Sequence, residues 1–265
     1  MNKTMAFFDG MGRRIMDGLE ELGYATSLLG EAFYWLILGR RYRQPVRMSA
    51  TITSMIQFGV SALPIATLLS ATIGFMLAIQ SLYSLGIFGA ERFAYIGIAL
   101  SVVREFSPII MGIMVAGRSG SAIAARLATM TINQEIDALQ AIGINPTRFL
   151  VTPAMLAFIF MLPCLTMWAN LISVASAGIY VSAELDMTFI SYIRDTLDAL
   201  AAKDIWHGIG KSTLFGLIIA LVGVVNGSSV QGGAEGVGLV TTRAVVQSIT
   251  LIVLTDMIFA YLTTH

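Results

Sequence analysis

Residues 48–90 read MSATITSMIQFGVSALPIATLLSATIGFMLAIQSLYSLGIFGA, without one charged side chain between Arg47 and Glu91. A helix needs about 20 mostly apolar residues to cross the hydrocarbon of a bilayer. This stretch therefore holds one long crossing, placed at 52–80, softened at Pro64 and followed by a turn around Gly86 and Gly89. Working outward, a second crossing lies at 93–117, with Arg104 and Glu105 at its middle. A third fills the charge-free stretch 149–183, which is free to tilt or bend at Pro163 but too short for two crossings. A fourth covers 205–228 and a fifth 244–262. The expected fold is an all-α membrane protein, one domain over residues 1–265, with five transmembrane helices.

Composition agrees. Hydrophobic residues are 56% of 265 and charged residues 12%, and mean hydropathy is +0.79. A soluble domain carries about twice that charge fraction. Sixteen cationic and sixteen anionic side chains cancel, so no basic field points to nucleic acid. A lone cysteine, Cys164, excludes a disulfide framework or a thiolate metal site. Lys3, Asp9, Arg13, Arg14 and Asp17 interrupt any early apolar run, so no short signal peptide is expected.

Orientation follows from the basic residues that flank the crossings. Arg40, Arg41, Arg43 and Arg47 precede the first, Arg118, Arg126 and Arg148 lie between the second and third, and Arg243 precedes the fifth. The opposite side carries Arg92, then Arg194 and Lys203 among Glu184, Asp186, Asp195, Asp198 and Asp204. The N-terminus is expected in the cytoplasm and, with five crossings, the C-terminus outside. Residues 1–47 are not a sixth crossing. Phe8, Met11, Ile15, Leu19 and Leu22 recur at helical steps between Asp17, Glu20 and Glu21, and the apolar run 28–38 is about half the length required. Tyr34 and Trp35 before the arginines resemble an interfacial anchor, so an amphipathic helix lying on the cytoplasmic surface is expected.

After the second crossing, small residues recur every fourth position at Ala116, Gly120, Ala124 and Ala128, a ladder that lets helix backbones approach closely. Ordinary packing is sufficient reason for it. Asp137-Ala138-Leu139 followed by Gly143 is less ordinary. It has the spacing of the E-A-A-x-x-x-G loop of ABC importer permeases, a short cytoplasmic helix that docks on an ATPase; here Gly143 and Pro146 would end it.

The run from Arg104-Glu105 through AGRSGSAIAA (116–125) and QEIDALQAIGINP (134–146), with VTTRAVV (240–246) and Lys211-Ser212, resembles the MlaE/YrbE family, permease subunits of MCE-associated ABC transporters. The resemblance covers roughly residues 50–265. It implies a homodimer in the bacterial inner membrane enclosing a lipid cavity and working by alternating access. It further implies a cytoplasmic ABC ATPase that binds ATP and Mg, a periplasmic MCE-domain hexamer, a small STAS-domain partner and a phospholipid cargo. The chain itself would hold no cofactor and catalyse nothing. By the same resemblance, Arg118, Glu135, Asp137, Ala138, Leu139 and Gly143 form the surface that couples to the ATPase. Phe75, Leu77 and Phe88 would wall the acyl chains.

Other signals are decoys. GIGKST (208–213) looks like the end of a phosphate-binding loop, but Ile205 stands where the motif requires glycine and no strand precedes it. Gly232, Gly233, Gly236 and Gly238 read as a flexible turn, and two histidines, His207 and His265, make no metal site. The intramembrane charges are harder to set aside, because an ionisable group there is costly unless paired or wet. Asp204, His207 and Lys211 share one helix face, opposite Arg104 and Glu105. Two readings stay open: the charges pair as glue between crossings two and four, or they meet a lipid headgroup. Asp256 is read as solvated near the outer end. A secondary transporter or channel using Arg104, Glu105, Asp204 and Lys211 as a relay is the alternative function.

Overall fold

A computed structural model of the chain describes residues 3–39, 41 and 44–264, with side chains described from Met16 onward except those of Asp17 and Thr264. These residues form helices joined by short turns, and none is in a strand. Helix α1 (Lys3–Leu38) is followed by α2 (Met48–Phe58) and α3 (Leu63–Gly86). Next come α4 (Ala94–Ser101), α5 (Ser107–Val115) and α6 (Ser121–Ile132), joined end to end through π-helical turns at Val102–Phe106 and Ala116–Gly120. The short α7 (Glu135–Ala141) precedes a third π-helical turn, Thr147–Val151, which opens α8 (Thr152–Glu184). Then follow α9 (Phe189–Ala199), α10 (Ala202–Ser228) and α11 (Gly233–Thr264).

Five helical stretches are long and apolar enough to cross a membrane: Met48–Gly86, Glu91–Ile132, Thr147–Glu184, Ala202–Ser228 and Gly233–Thr263. They match the five expected crossings and run past their ends. The 42 residues of Glu91–Ile132 span about 63 Å at the α-helical rise, twice the hydrocarbon thickness. The segment after Gly117 is thus a rigid continuation of the helix, because its ladder of small residues is packed. Ala116, Ala124 and Ala128 are fully buried. Opposite them, a side chain at Gly227 of α10 would lie 2.8 Å from the Ala124 carbonyl. The glycine run before the fifth crossing is also tighter than expected. Only Gly232 and Gly233 take positive φ, +87° and +65°, whereas Gly236 and Gly238 already belong to α11.

Helix α8 is the centre of the molecule. Its Ser173 hydroxyl donates to the Ser70 carbonyl of α3 at 2.9 Å, close to Gly74, where any side chain would strike the Ser173 carbonyl. Phe58 stacks on Phe158 with centroids 5.0 Å apart, and Met111, Phe215, Ile219 and Ile252 complete the main core. Burial of such side chains is worth about 1.5–3 kcal/mol each against water; within a bilayer the close packing itself holds the helices. A smaller core forms at the other end, where Ile98, Val102 and Val181 surround Tyr192 of α9.

The repeat Phe8, Met11 and Ile15 falls on side chains outside the described residues, as do Arg40 and Arg43. From Met16 onward α1 buries Leu28 and Ala32 and exposes Leu19, Leu22 and Ile37. It is tied to the body at two levels. Glu31 accepts hydrogen bonds from Asn145 Nδ2 at 2.6 Å and Thr147 Oγ1 at 2.7 Å, and Glu21 pairs with Arg243. Arg148 lies over the Trp35 ring, 5.2 Å from its centroid, and donates to Gln44.

Candidate functional site

Pro108 carries no amide hydrogen, and the helix widens in the turn before it. The Ser107 amide bonds to the Val102 carbonyl five residues back, a π-type bond. Arg104 and Glu105 lie in that widened turn. The backbone of α10 crosses it at Gly208, where a Cβ would stand 2.5 Å from the Val103 carbonyl. Glycine is required for this approach, and it sets the neighbours. Asp204 and Lys211, four residues before and three after Gly208, fall on the same face and reach the turn on either side.

Lys211 is 1% exposed, and its Nζ contacts Glu105 and lies 2.9 Å from Asp256 Oδ1 of α11. The Asp256 contact is close enough for an ion pair but off-axis for a hydrogen bond. The Phe259 ring caps the ammonium at 5.9 Å and meets His207 edge-on. Asp204 accepts from the Ala201 amide at 3.0 Å, closing the first turn of α10, and lies 3.7 Å from Arg104 Nε. Two cations thus meet three carboxylates among crossings two, four and five. Pairing between crossings two and four, one of the two open readings, takes the form of Glu105 with Lys211. Asp256, read from sequence as solvated, is a 14% exposed member of the cluster, because α11 turns its face inward there.

Burial is uneven across the cluster. Lys211 and Asp204 are closed off, while the Arg104 and Glu105 side chains remain 37% and 39% exposed. Arg104 meets Asp204 through Nε at 3.7 Å, beyond hydrogen-bonding distance, and its guanidinium makes no hydrogen bond among the described residues. The lysine is structural, and the arginine is the open edge.

The remaining expected residues are scattered. Phe75 is partly exposed beside Tyr180, and Phe88 is open at the outer turn. Leu77 is partly buried and packs on the smaller core. Glu135, Asp137, Ala138 and Leu139 occur together on α7, none of them buried. Gly143 follows at φ +80°, where its amide bonds to the Gln140 carbonyl and ends the helix. Arg118 lies elsewhere, donating to Ser61 Oγ at 3.0 Å and tying the second crossing to the break between α2 and α3. GIGKST is continuous helix with its lysine consumed by carboxylates. Among the described residues no cluster could hold a metal ion. Sequence reasoning missed α9. Its signals were the Thr188 cap, which accepts from the Ser191 amide at 3.2 Å, and the buried spacing of Tyr192 and Thr196.

Comparison with known proteins is consistent with this arrangement. The family model described as Permease MlaE matches residues 51–262. A probable ABC transporter permease protein of Rickettsia prowazekii is 32% identical over 240 residues, 90% of this chain and 93% of that protein. A probable ABC transporter permease protein of Synechocystis is 30% identical, covering 92% of this chain and 90% of its own. The chloroplastic protein trigalactosyldiacylglycerol 1 of Arabidopsis thaliana is 35% identical over 79% of this chain and 60% of its own.

Proposed function

Because the chain belongs to the MlaE permease family and is an ABC transporter permease, we propose that it carries phospholipid, or a similar anionic amphipath, between the inner membrane and the periplasmic side. The observation that carries this reading is Arg104, a partly exposed guanidinium at mid-crossing that makes no hydrogen bond among the described residues. A guanidinium in that setting needs an anion, and a phosphodiester accepts two parallel hydrogen bonds from it. The relative named for a galactolipid supports a lipid-class cargo. The membership removes the reason to treat the charges as the relay of a secondary transporter.

In this reading two copies enclose the lipid path with Phe75 and Phe88 toward it, and the exposed α7 docks on a cytoplasmic ATPase that holds ATP and Mg. Closure of the ATPases pushes α7, and the crossings shift. An MCE hexamer receives the lipid outside, and a STAS-domain protein accompanies the ATPase. The N-terminus lies in the cytoplasm and the C-terminus in the periplasm.

The test is lipid co-purification with Arg104→Ala. Retained phospholipid should fall several-fold, with thermal stability and ATPase association unchanged. Full lipid retention and full transport in this variant would remove Arg104 from the path.

A further inference from the structure

A second, separate site lies at the foot of the first crossing. The Ser119 hydroxyl donates to the Phe58 carbonyl at 3.0 Å. From that point α2 and α6 run antiparallel, which brings Arg126 opposite the first turns of α2. Between them and the start of α8 is a cavity of about 270 Å³. Arg47 and Arg126 face it, Ser54 lies in its wall, and Phe58, Leu127 and Pro153 floor it. None of the five charges around Lys211 takes part.

The charged groups here favour an anion, and among the described residues nothing supplies one. No aspartate or glutamate lines the cavity. Arg126 makes no ion pair or hydrogen bond among the described residues. Arg47 sits over the Phe149 ring at 5.1 Å, which fixes its guanidinium without neutralising it. Ser54 is 8% exposed and lines the cavity, and its hydroxyl has no hydrogen-bond partner among the described residues. Helix α2 has no side-chain cap, so its first amides, including those of the lining residues Ser49 and Ala50, are left for an oxyanion.

We propose that this cavity binds the phosphate of an anionic phospholipid whose acyl chains run up the first crossing. The apolar floor separates a lipid from free phosphate, which would leave its own hydration for an apolar wall with no return. Beside the cavity, Ile52 and Ile56 stand exposed one turn apart on α2, and Val60 stands exposed in the turn that follows it; together they continue the path into the hydrocarbon. Two arginines without a carboxylate favour a headgroup that is a net anion over a zwitterion, whose own cation would meet them.

The experiment uses the full chain in mild detergent, in an Arg104→Ala background so that lipid at the Lys211 cluster does not enter. Phosphatidylglycerol and phosphatidylcholine are added in equal amounts, and bound lipid is counted by native mass spectrometry. Phosphatidylglycerol should be retained about tenfold over phosphatidylcholine, the equivalent of one charge-assisted contact. Arg126→Ala should abolish the preference, Arg126→Lys should keep part of it, and Ser54→Ala should weaken it, all with unchanged melting. Excess inorganic phosphate should not displace the lipid. Equal preference with and without Arg126, displacement by phosphate, or a variant that loses its ATPase while keeping the lipid would each overturn the proposal.

Discussion

Lys211 of α10 and Asp256 of α11 approach to 2.9 Å, and Glu105 of the second crossing closes on the same ammonium. Three crossings thus converge on one cation that water does not reach. Removing it strands the largely buried Asp256 carboxylate beside the partly exposed Glu105, a loss of up to about 3–5 kcal/mol for a buried pair deprived of one partner. Lys211→Met should therefore melt well below the native protein in detergent. Glu105→Gln should cost much less, because Lys211 keeps Asp256. Combining Lys211→Met with Glu105→Gln and Asp256→Asn should recover part of the loss. A Lys211→Met protein that melts with the native one would show that the cluster does not hold the crossings together.

Topology can be read by labelling introduced cysteines after Cys164, which is exposed, is changed to alanine. Ser119 is unsuitable as a reporter because it is buried against Phe58. Asn133 and Ala201 are exposed at opposite ends of the long helices. Asn133→Cys should react with an impermeant reagent only from the cytoplasm, and Ala201→Cys only from outside. Reaction of both from one side of intact cells would refute the arrangement of five crossings.

Gly143 holds φ at +80°, with nothing within 4 Å of where a Cβ would stand. A substitution there meets no clash but does meet the backbone penalty, about 1–2 kcal/mol for a residue with a side chain. That penalty is paid locally, by the end of α7. Gly143→Val should leave insertion and melting nearly unchanged while lowering ATPase co-purification several-fold, and Asp137→Lys on exposed α7 should do the same. Normal assembly and transport with both changes would remove α7 from the coupling surface.

Tyr192 lies outside the crossings, and burial pushes its phenol up to about 12. Thr196 lies beside its hydroxyl, which otherwise finds no hydrogen-bond partner among the described residues. Below pH 10 the folded and unfolded chains both keep the proton. From pH 10 to about 12 the unfolded chain releases it while the folded chain does not, so stability falls by about 3 kcal/mol across that window. In Tyr192→Phe this component should vanish, with little or no loss at neutral pH. A native and a variant protein with parallel alkaline melting curves would contradict the burial of the phenol.

The crossings were legible because a charge-free run such as 48–90 has few alternatives to a bilayer-spanning helix. That the charges of crossings two and four could pair was legible too, since isolated charges in a bilayer are costly without a partner, though not which of them meet. Asp256 was not. Its distance along the chain from the end of the helix suggested water, and only the rotation of α11 about its axis turns it inward. The close crossing of Gly208 against the Val103 carbonyl was equally hidden, because it is a property of two segments far apart in sequence. Gly236 was misread for a related reason: the glycines that must bend are fixed by the packing of neighbouring helices, and they are Gly232 and Gly233. The cavity between Arg47 and Arg126 left no trace in either local segment.

The two attachments of α1 lie ten residues apart, at Glu31 and Glu21, or about 15 Å along an unbroken helix. One end is fastened to Asn145 and Thr147, just past α7, and the other to Arg243, at the start of the fifth crossing. A helix resists compression far better than the loops it bridges. While both fastenings hold, α1 ties the turn after α7 to α11 along one unbroken helix, a link that runs beside the core and is keyed into it by Leu28 and Ala32.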